Sequence, residues 1–536
     1  MVSPLVVLLS CAGDPQPDTA SQPMQRATPL QLLVRASLDF RGVRPSGEEV
    51  EWLTDEPDAL DEMIDTFIDD ERFPDRIIAL YQEIYLSNTE NIDLRPNTLP
   101  FADTRLFYWA VGQEPLQLLA QIVREDLPYT EIVTADWTMA NEELSEWFPV
   151  TWTEGDTGWH KVQYTDGRPA AGVIATNGLW WRYVTTEANA NRRRANALTR
   201  ILVCEDFLER PITFDQTANA QDEAAINDAI HNNPACINCH VALDPIASNL
   251  FGFYWTNFTS VTEGRTYSPG LEQTWRELTG TSPGWYGTPT TGLSGLGAVI
   301  AADPRLPTCA VEQAFELMMR RPVSVDDADD LVALREVFLA DDLRLKSLYR
   351  AIADLDVYQA ARDETDDGAL PLKMMAPDVL ATSIEAITGL TWMAYTAPAL
   401  YTDLHGVRAL AGGVEGVMIK QPAVAPDATI LLVQEAIAAT AASYALRNET
   451  GLDPEERRLF REVDFTESLE ADEAVLRAQL QSLHLRVLSQ QVELDGPEVD
   501  AGLALWVELL AIEGVPILAW QGVLEALLRD PAYLLY

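Results

Sequence analysis

The chain has little positive charge, little sulfur and no long apolar run. Lysine occurs four times, at Lys161, Lys346, Lys373 and Lys420, and Lys+Arg total 37 against 83 Asp+Glu, a formal net charge of −46. Such a surface repels phosphate backbones and anionic lipid, so nucleic-acid binding is excluded as an expectation. The acids are spread along the chain and not gathered in a tail, which reads as a solvation device more than a docking face. No stretch after the amino end approaches the ~18 consecutive apolar residues of a membrane-spanning helix. Five cysteines in 536 residues are too few for a disulfide scaffold. A hydrophobic content of 47% is ample for burial, and the length suggests about three domains.

The opening "MVSPLVVLLSCAGDPQPDTASQP" places a short apolar run, Leu5 to Leu9, before Ser10-Cys11. It resembles a bacterial lipoprotein signal, in which Cys11 is acylated; an ordinary signal peptide is the alternative. Either predicts an exported protein, periplasmic or in the outer envelope, with a lipid anchor on Cys11 in the first case.

From Thr28 the periodicity is helical. Ser46 stands three residues before Glu49, the spacing of a helix N-cap and its capping-box partner. An Arg-bearing amphipathic helix, a turn and an acidic helix start recur near the beginning, at Val311–Gln359 and at the carboxyl end. Their irregular spacing argues against a solenoid and for reused helical modules. "WFPVTWTEGDTGWHKVQYTDGRPAAGVIAT" predicts a small hairpin excursion, "SVTEGRTYSPGLEQTWRELTGTSPGWYGTPTTGLSGLGAVI" reads as loop, and "ARDETDDGALPLK" as linker. The expected fold is mainly α, with helical modules around a cytochrome-c-like segment. The expected boundaries are a signal and linker at 1–27, a helical domain at 28–148, a mixed segment at 149–230, the segment of interest with its helical module at 231–360, a linker at 361–373 and a helical domain at 374–536.

The chemistry concentrates in "HNNPACINCHVALDP", 231–245. Cys236 and Cys239 are one helical turn apart and His240 follows directly, the spacing by which one haem c is held through two thioethers and an axial histidine. A zinc knuckle needs further close ligands, and Cys204 and Cys309 are far away in sequence. A thioredoxin-like dithiol does not call for the histidine, and a Cys236–Cys239 disulfide is strained by its short loop. With Cys11 assigned to lipid and two cysteines to haem, Cys204 and Cys309 remain, and in an oxidising compartment they most simply pair. His231 is a candidate second iron ligand; Met139, His160, Met318 and Met319 are further ones, whereas His405 and His484 read as ordinary helix residues. "GLSGLG" at 292–297 has the wrong order for a dinucleotide loop, and no nucleophile elbow, P-loop, metalloprotease helix or calcium loop is present.

Four stretches together carry a resemblance. They are "EPLQLLAQIVREDLPYTEIVTADWTMANEELSEWF", "GVIATNGLWWRYVTTEANANRRRANALTRILVCEDFLERP", "HNNPACINCHVALDPIASNLFGFYWTNF" and "DPRLPTCAVEQAFELMMRRPVSVDDADDL". The chain resembles the secreted bacterial proteins built from planctomycete-type cytochrome-c-like domains of unknown function, over most of residues 30–360. The resemblance implies haem-type roles for Cys236, Cys239 and His240, and places His231, Asp244 and Pro245 in the same site. It also matches Cys204 and Cys309 to the family's two other recurrent cysteines. After Asp244-Pro245 this chain departs from the family, with "IASNLFGFYW" in place of a glycine and an acidic-aromatic run. The expectation is a monohaem electron-transfer protein of the cell envelope with a redox partner protein. The alternatives are a peroxidase-like haem enzyme, or an envelope structural or binding protein in which the CxxC is a clip without haem.

Overall fold

The computed structural model describes residues 25–89, 104–210, 228–230, 232–255, 264–362, 371–395, 397–402 and 405–536. It is mainly helical, 60% helix and 5% strand, with small two-strand sheets. Local sequence explains several helix ends. Helix Pro29–Arg41 starts at a Thr28–Gln31 capping box with proline at its first position, and stops at Gly42. Gly42 has φ +70, and a Cβ there would meet the Arg76 side chain at 2.9 Å. Helix Gly47–Asp55 begins at the capping box of Ser46 and Glu49 that the spacing predicts.

Two large cores result. The first draws residues from Ala27 to Tyr358, the second from Leu380 to Tyr533. A smaller cluster joins them, with Val34 and Leu38 from the first helix against Met374, Met375, Val379, Ile430 and Leu534. Polar contacts cross the same seam: the Arg44 guanidinium donates to the carbonyls of Leu488, Ala532 and Tyr533 at 2.9, 2.8 and 3.0 Å. In the second core, helix Ala428–Glu449 packs against Pro516–Arg529. By length and composition it is apolar enough to cross a membrane, and half of its most apolar window is buried inside the fold. Counting consecutive apolar residues passes over it because Gln434, Glu435 and Ser443 interrupt the run. Its Ala438, Ala441, Ala442 and Ala445 face the core.

Strands Thr138–Ala140 and His160–Val162 pair antiparallel, with Met139 opposite Lys161. The expected excursion is therefore half right in extent: its second strand lies in the Trp/Thr-rich segment, and its partner lies upstream. The Gly/Thr-rich segment expected as loop contains a two-residue strand pair, Gly284–Trp285 with Thr288–Pro289, and helix Gly292–Ala301. The helix forms because Leu293, Leu296 and Ile300 share a buried face. Gly297 permits close approach, since a Cβ there would lie 2.1 Å from the Val133 carbonyl oxygen.

Candidate functional site

Helix Pro234–Ser248 carries the site. Asn233 caps it by accepting from the Ala235 N–H, and Pro234 takes the first position, where a missing N–H costs nothing. Cys236, His240 and Asp244 follow at i, i+4 and i+8 and so line one side of the helix. Cys239 lies at the edge of the first core, 9% exposed, near the packing of Ala242, Leu243 and Ile246. On the other flank Ile237 is 36% and Val241 67% exposed, an apolar stripe beside the thiol and imidazole. Pro245 cannot donate the helical hydrogen bond that the Val241 carbonyl would otherwise receive.

Cys236 and Cys239 are both free thiols. Cys204 and Cys309, the pair reached by counting, stand at disulfide distance with Cα atoms 5.3 Å apart across 105 residues. Among the described residues no three His, Cys, Asp or Glu side chains converge to hold a metal ion by themselves.

The imidazole is held from one side. His240 Nδ1 lies 2.9 Å from Asp244 Oδ1. Arg192, the first residue of helix Arg192–Val203, grips the same carboxylate with two bonds, Nε to Oδ1 at 2.7 Å and Nη2 to Oδ2 at 3.1 Å. Burial alone pushes the Asp244 pKa up; the hydrogen bonds from His240 and Arg192, with the charge of Arg192, outweigh it and bring the pKa below the ordinary carboxylate value. With the neutral ring's proton on Nδ1, Nε2 is left as the lone-pair nitrogen. The donor set thus fits a covalently held haem: two unpaired thiols one turn apart, a ring nitrogen with its lone pair free, and exposed aliphatic side chains beside them.

His231 and Cys11 lie outside the described residues. The other candidates for the second iron ligand are spread over different elements. Met139 is buried in its strand. His160 is exposed, with a ring nitrogen 2.9 Å from the Thr157 carbonyl. Met318 and Met319 are buried at the end of helix Arg305–Met319. Sequence reasoning missed Arg192. Its only signal is the run Arg192-Arg193-Arg194 in a chain poor in basic residues. Comparison of the chain with protein-family models, with curated proteins and with solved structures finds no match.

The Arg192–Asp244 pair joins the site helix to helix Arg192–Val203. Arg192→Ala is expected to destabilise the fold by about 2 kcal/mol, the range for a hydrogen-bonded charge with one partner removed, read by urea unfolding at neutral pH. The sign with pH follows from the depressed Asp244 pKa. Its contribution is present above the unfolded carboxylate value and is lost as pH falls through the folded one. The gap between wild type and Arg192→Ala should therefore narrow below about pH 4; a gap that widens in acid contradicts the assignment.

Proposed function

We propose that the chain is an exported, monohaem c-type electron-transfer protein of the cell envelope, belonging with the secreted cytochrome-c-like proteins that its motifs resemble. One observation carries the reading. A single helix presents two unoxidised thiols one turn apart and an imidazole whose Nδ1 is engaged by Asp244 at 2.9 Å. Cys236 and Cys239 would hold the haem covalently, each through its thiol, an addition that would need no oxidant. His240 would hold the iron through Nε2, and Asp244, itself fixed by Arg192, holds the ring against rotation. Ile237 and Val241 offer aliphatic cover against water. Bound there, the haem supplies one-electron chemistry.

Two further features support an envelope location: the lipoprotein-like start with Cys11, and a Cys204–Cys309 bridge, which belongs in an oxidising compartment. The acidic surface suits a basic redox partner, with encounter fastest at low salt.

A second reading, a peroxidase-like haem enzyme, is favoured by the same Asp244 contact. A carboxylate on Nδ1 raises the basicity of the ring's other nitrogen. The two readings part on the second axial position, filled in an electron carrier and open in an enzyme.

The deciding experiment is a pyridine haemochrome spectrum on protein expressed with haem-maturation machinery. One covalent haem per chain is expected, and Cys239→Ala should lose stable haem retention. A low-spin spectrum unchanged by cyanide and carbon monoxide selects electron transfer, and a ligand-responsive one selects the enzyme. Protein matured in this way and still free of covalent haem leaves only the binding or structural role for the CxxC helix.

A further inference from the structure

In a chain with more than two acids per base, arginines that find no carboxylate are informative, and several converge on one place. A cavity of about 460 Å³ opens at the seam between the two cores. Arg41, Arg44 and Arg72 line it from the first core's side, and Arg458, Arg461 and Arg486 from the second's; the one carboxylate in its lining is Glu49. Glu49 is already engaged, accepting two bonds from Arg41 at 2.7 and 3.0 Å and one from the Ser46 N–H at 2.7 Å.

Arg72 is paired with Asp70, its Nε donating to Oδ1 at 2.8 Å; the remaining four arginines are turned to neutral groups. Arg44 serves backbone carbonyls through both terminal nitrogens. Arg458 donates to the Ala386 carbonyl at 2.9 Å through one nitrogen, Arg461 to the Arg457 carbonyl through Nε, and Arg486 to Ser482 Oγ through Nε. Among the described residues none of Arg44, Arg458, Arg461 and Arg486 is ion-paired, and the last three have terminal N–H groups to spare. Burial and the nearby charge of Arg461 lower the Arg486 pKa, outweighing the opposite pull of Glu462, Glu51 and Glu449. Ser46 and Gly47 add the amino end of helix Gly47–Asp55, whose dipole favours an anion.

We infer that this cavity is a binding site for a small phosphate-bearing ligand. The volume is that of a small-molecule site. A tetrahedral dianion accepts from several directions at once, which suits guanidinium groups arriving from four separate chain segments; a lone carboxylate is matched by one planar fork. The site is distinct from the His240 helix and does not depend on the haem assignment. Because its walls belong to two cores, an occupant ties the seam and raises the unfolding temperature through linkage.

The test uses the full chain with pyrophosphate as probe, by calorimetry and thermal unfolding. Saturable binding in the millimolar range or tighter is expected, with a rise in Tm. Arg461→Gln with Arg486→Gln, both outside the buried core, should weaken binding at least about tenfold, the loss of roughly one charge-assisted hydrogen bond. Arg335→Gln, on helix Ala328–Ala340 of the first core, should bind as the wild type. Unchanged circular dichroism and an unchanged Tm without pyrophosphate separate lost binding from lost folding. The inference is overturned by no saturable binding, by binding indifferent to the double substitution, or by citrate or a glutamate-rich peptide binding more tightly than pyrophosphate.

Discussion

Replacing Cys204 and Cys309 together by alanine is expected to lower the unfolding free energy by about 4 kcal/mol, the loop-closure contribution of a crosslink spanning on the order of 100 residues. The bridge joins two helix positions: Cys204 directly follows helix Arg192–Val203, and Cys309 is 2% exposed inside helix Arg305–Met319. In sequence, the site helix Pro234–Ser248 lies within the loop the bridge closes, and it packs on helix Arg192–Val203. The consequence therefore reaches past global stability. With the bridge gone, helix Arg192–Val203 is freer to part from helix Arg305–Met319, and it carries Arg192, which holds Asp244. Guanidinium unfolding of the wild type and the double variant measures the first effect, and amide exchange across residues 236–244 the second. A loss below about 1 kcal/mol, or wild-type protein indifferent to reductant, would sink the expectation.

The helical class was legible because it rests on short-range physics. Apolar spacing and polar caps act within one or two turns, and the Ser46–Glu49 capping box stands where its spacing put it. Helix Gly292–Ala301 was hidden by composition: three glycines among its first six residues read as loop, although Leu293, Leu296 and Ile300 already held a helical spacing. What decides Gly297 is a backbone contact with Val133, more than 160 residues away, and no local pattern encodes that.

The same division runs through the sites. Cys236, Cys239 and His240 stand together in sequence, so the proposed haem attachment, which would need two thiols one helical turn apart and a following imidazole, can be read from spacing alone. Arg192 sits 52 residues from Asp244 and belongs to the site only through helix packing. The arginine-lined cavity is further still from a sequence signal. Its walls come from residues near 41–49, 72, 386, 458–461 and 486; Arg41 and Arg486 stand in helices and the other four arginines in connections, so no local pattern groups them.

Glu114 offers the sharpest contrast between two substitutions at one position. It is fully buried in helix Thr104–Arg124. One carboxylate oxygen accepts from Thr138 Oγ1 at 2.8 Å and Tyr164 OH at 2.5 Å, the other from the backbone N–H of Asn177 at 2.8 Å and Gly178 at 3.2 Å. Glu114→Ala leaves two buried N–H donors and two hydroxyls without their acceptor, an expected cost of about 4 kcal/mol. Glu114→Gln is expected to cost under about 1 kcal/mol. Its carbonyl can take the two fixed N–H donors, and its amide can donate to the two hydroxyls, which rotate to accept.

Acid unfolding gives the second readout. Burial, the largest influence, raises the Glu114 pKa despite its hydrogen bonds and the nearby Arg168. A raised carboxylate pKa contributes stability that is full below the unfolded value and is lost as pH rises through the folded one. Glu114→Gln removes that titration, so against the wild type it should lose ground on going from neutral pH into acid. The effect bears on the site as well. The two N–H groups open helix Asn177–Arg182, and Arg194 donates onward to the carbonyls of Trp180 and Tyr183. Arg194 lies two residues from Arg192, whose hold on Asp244 orients His240. Amide exchange should accordingly quicken in helix Pro234–Ser248 for Glu114→Ala and not for Glu114→Gln; equal exchange in the two variants would break that chain of contacts at its first link.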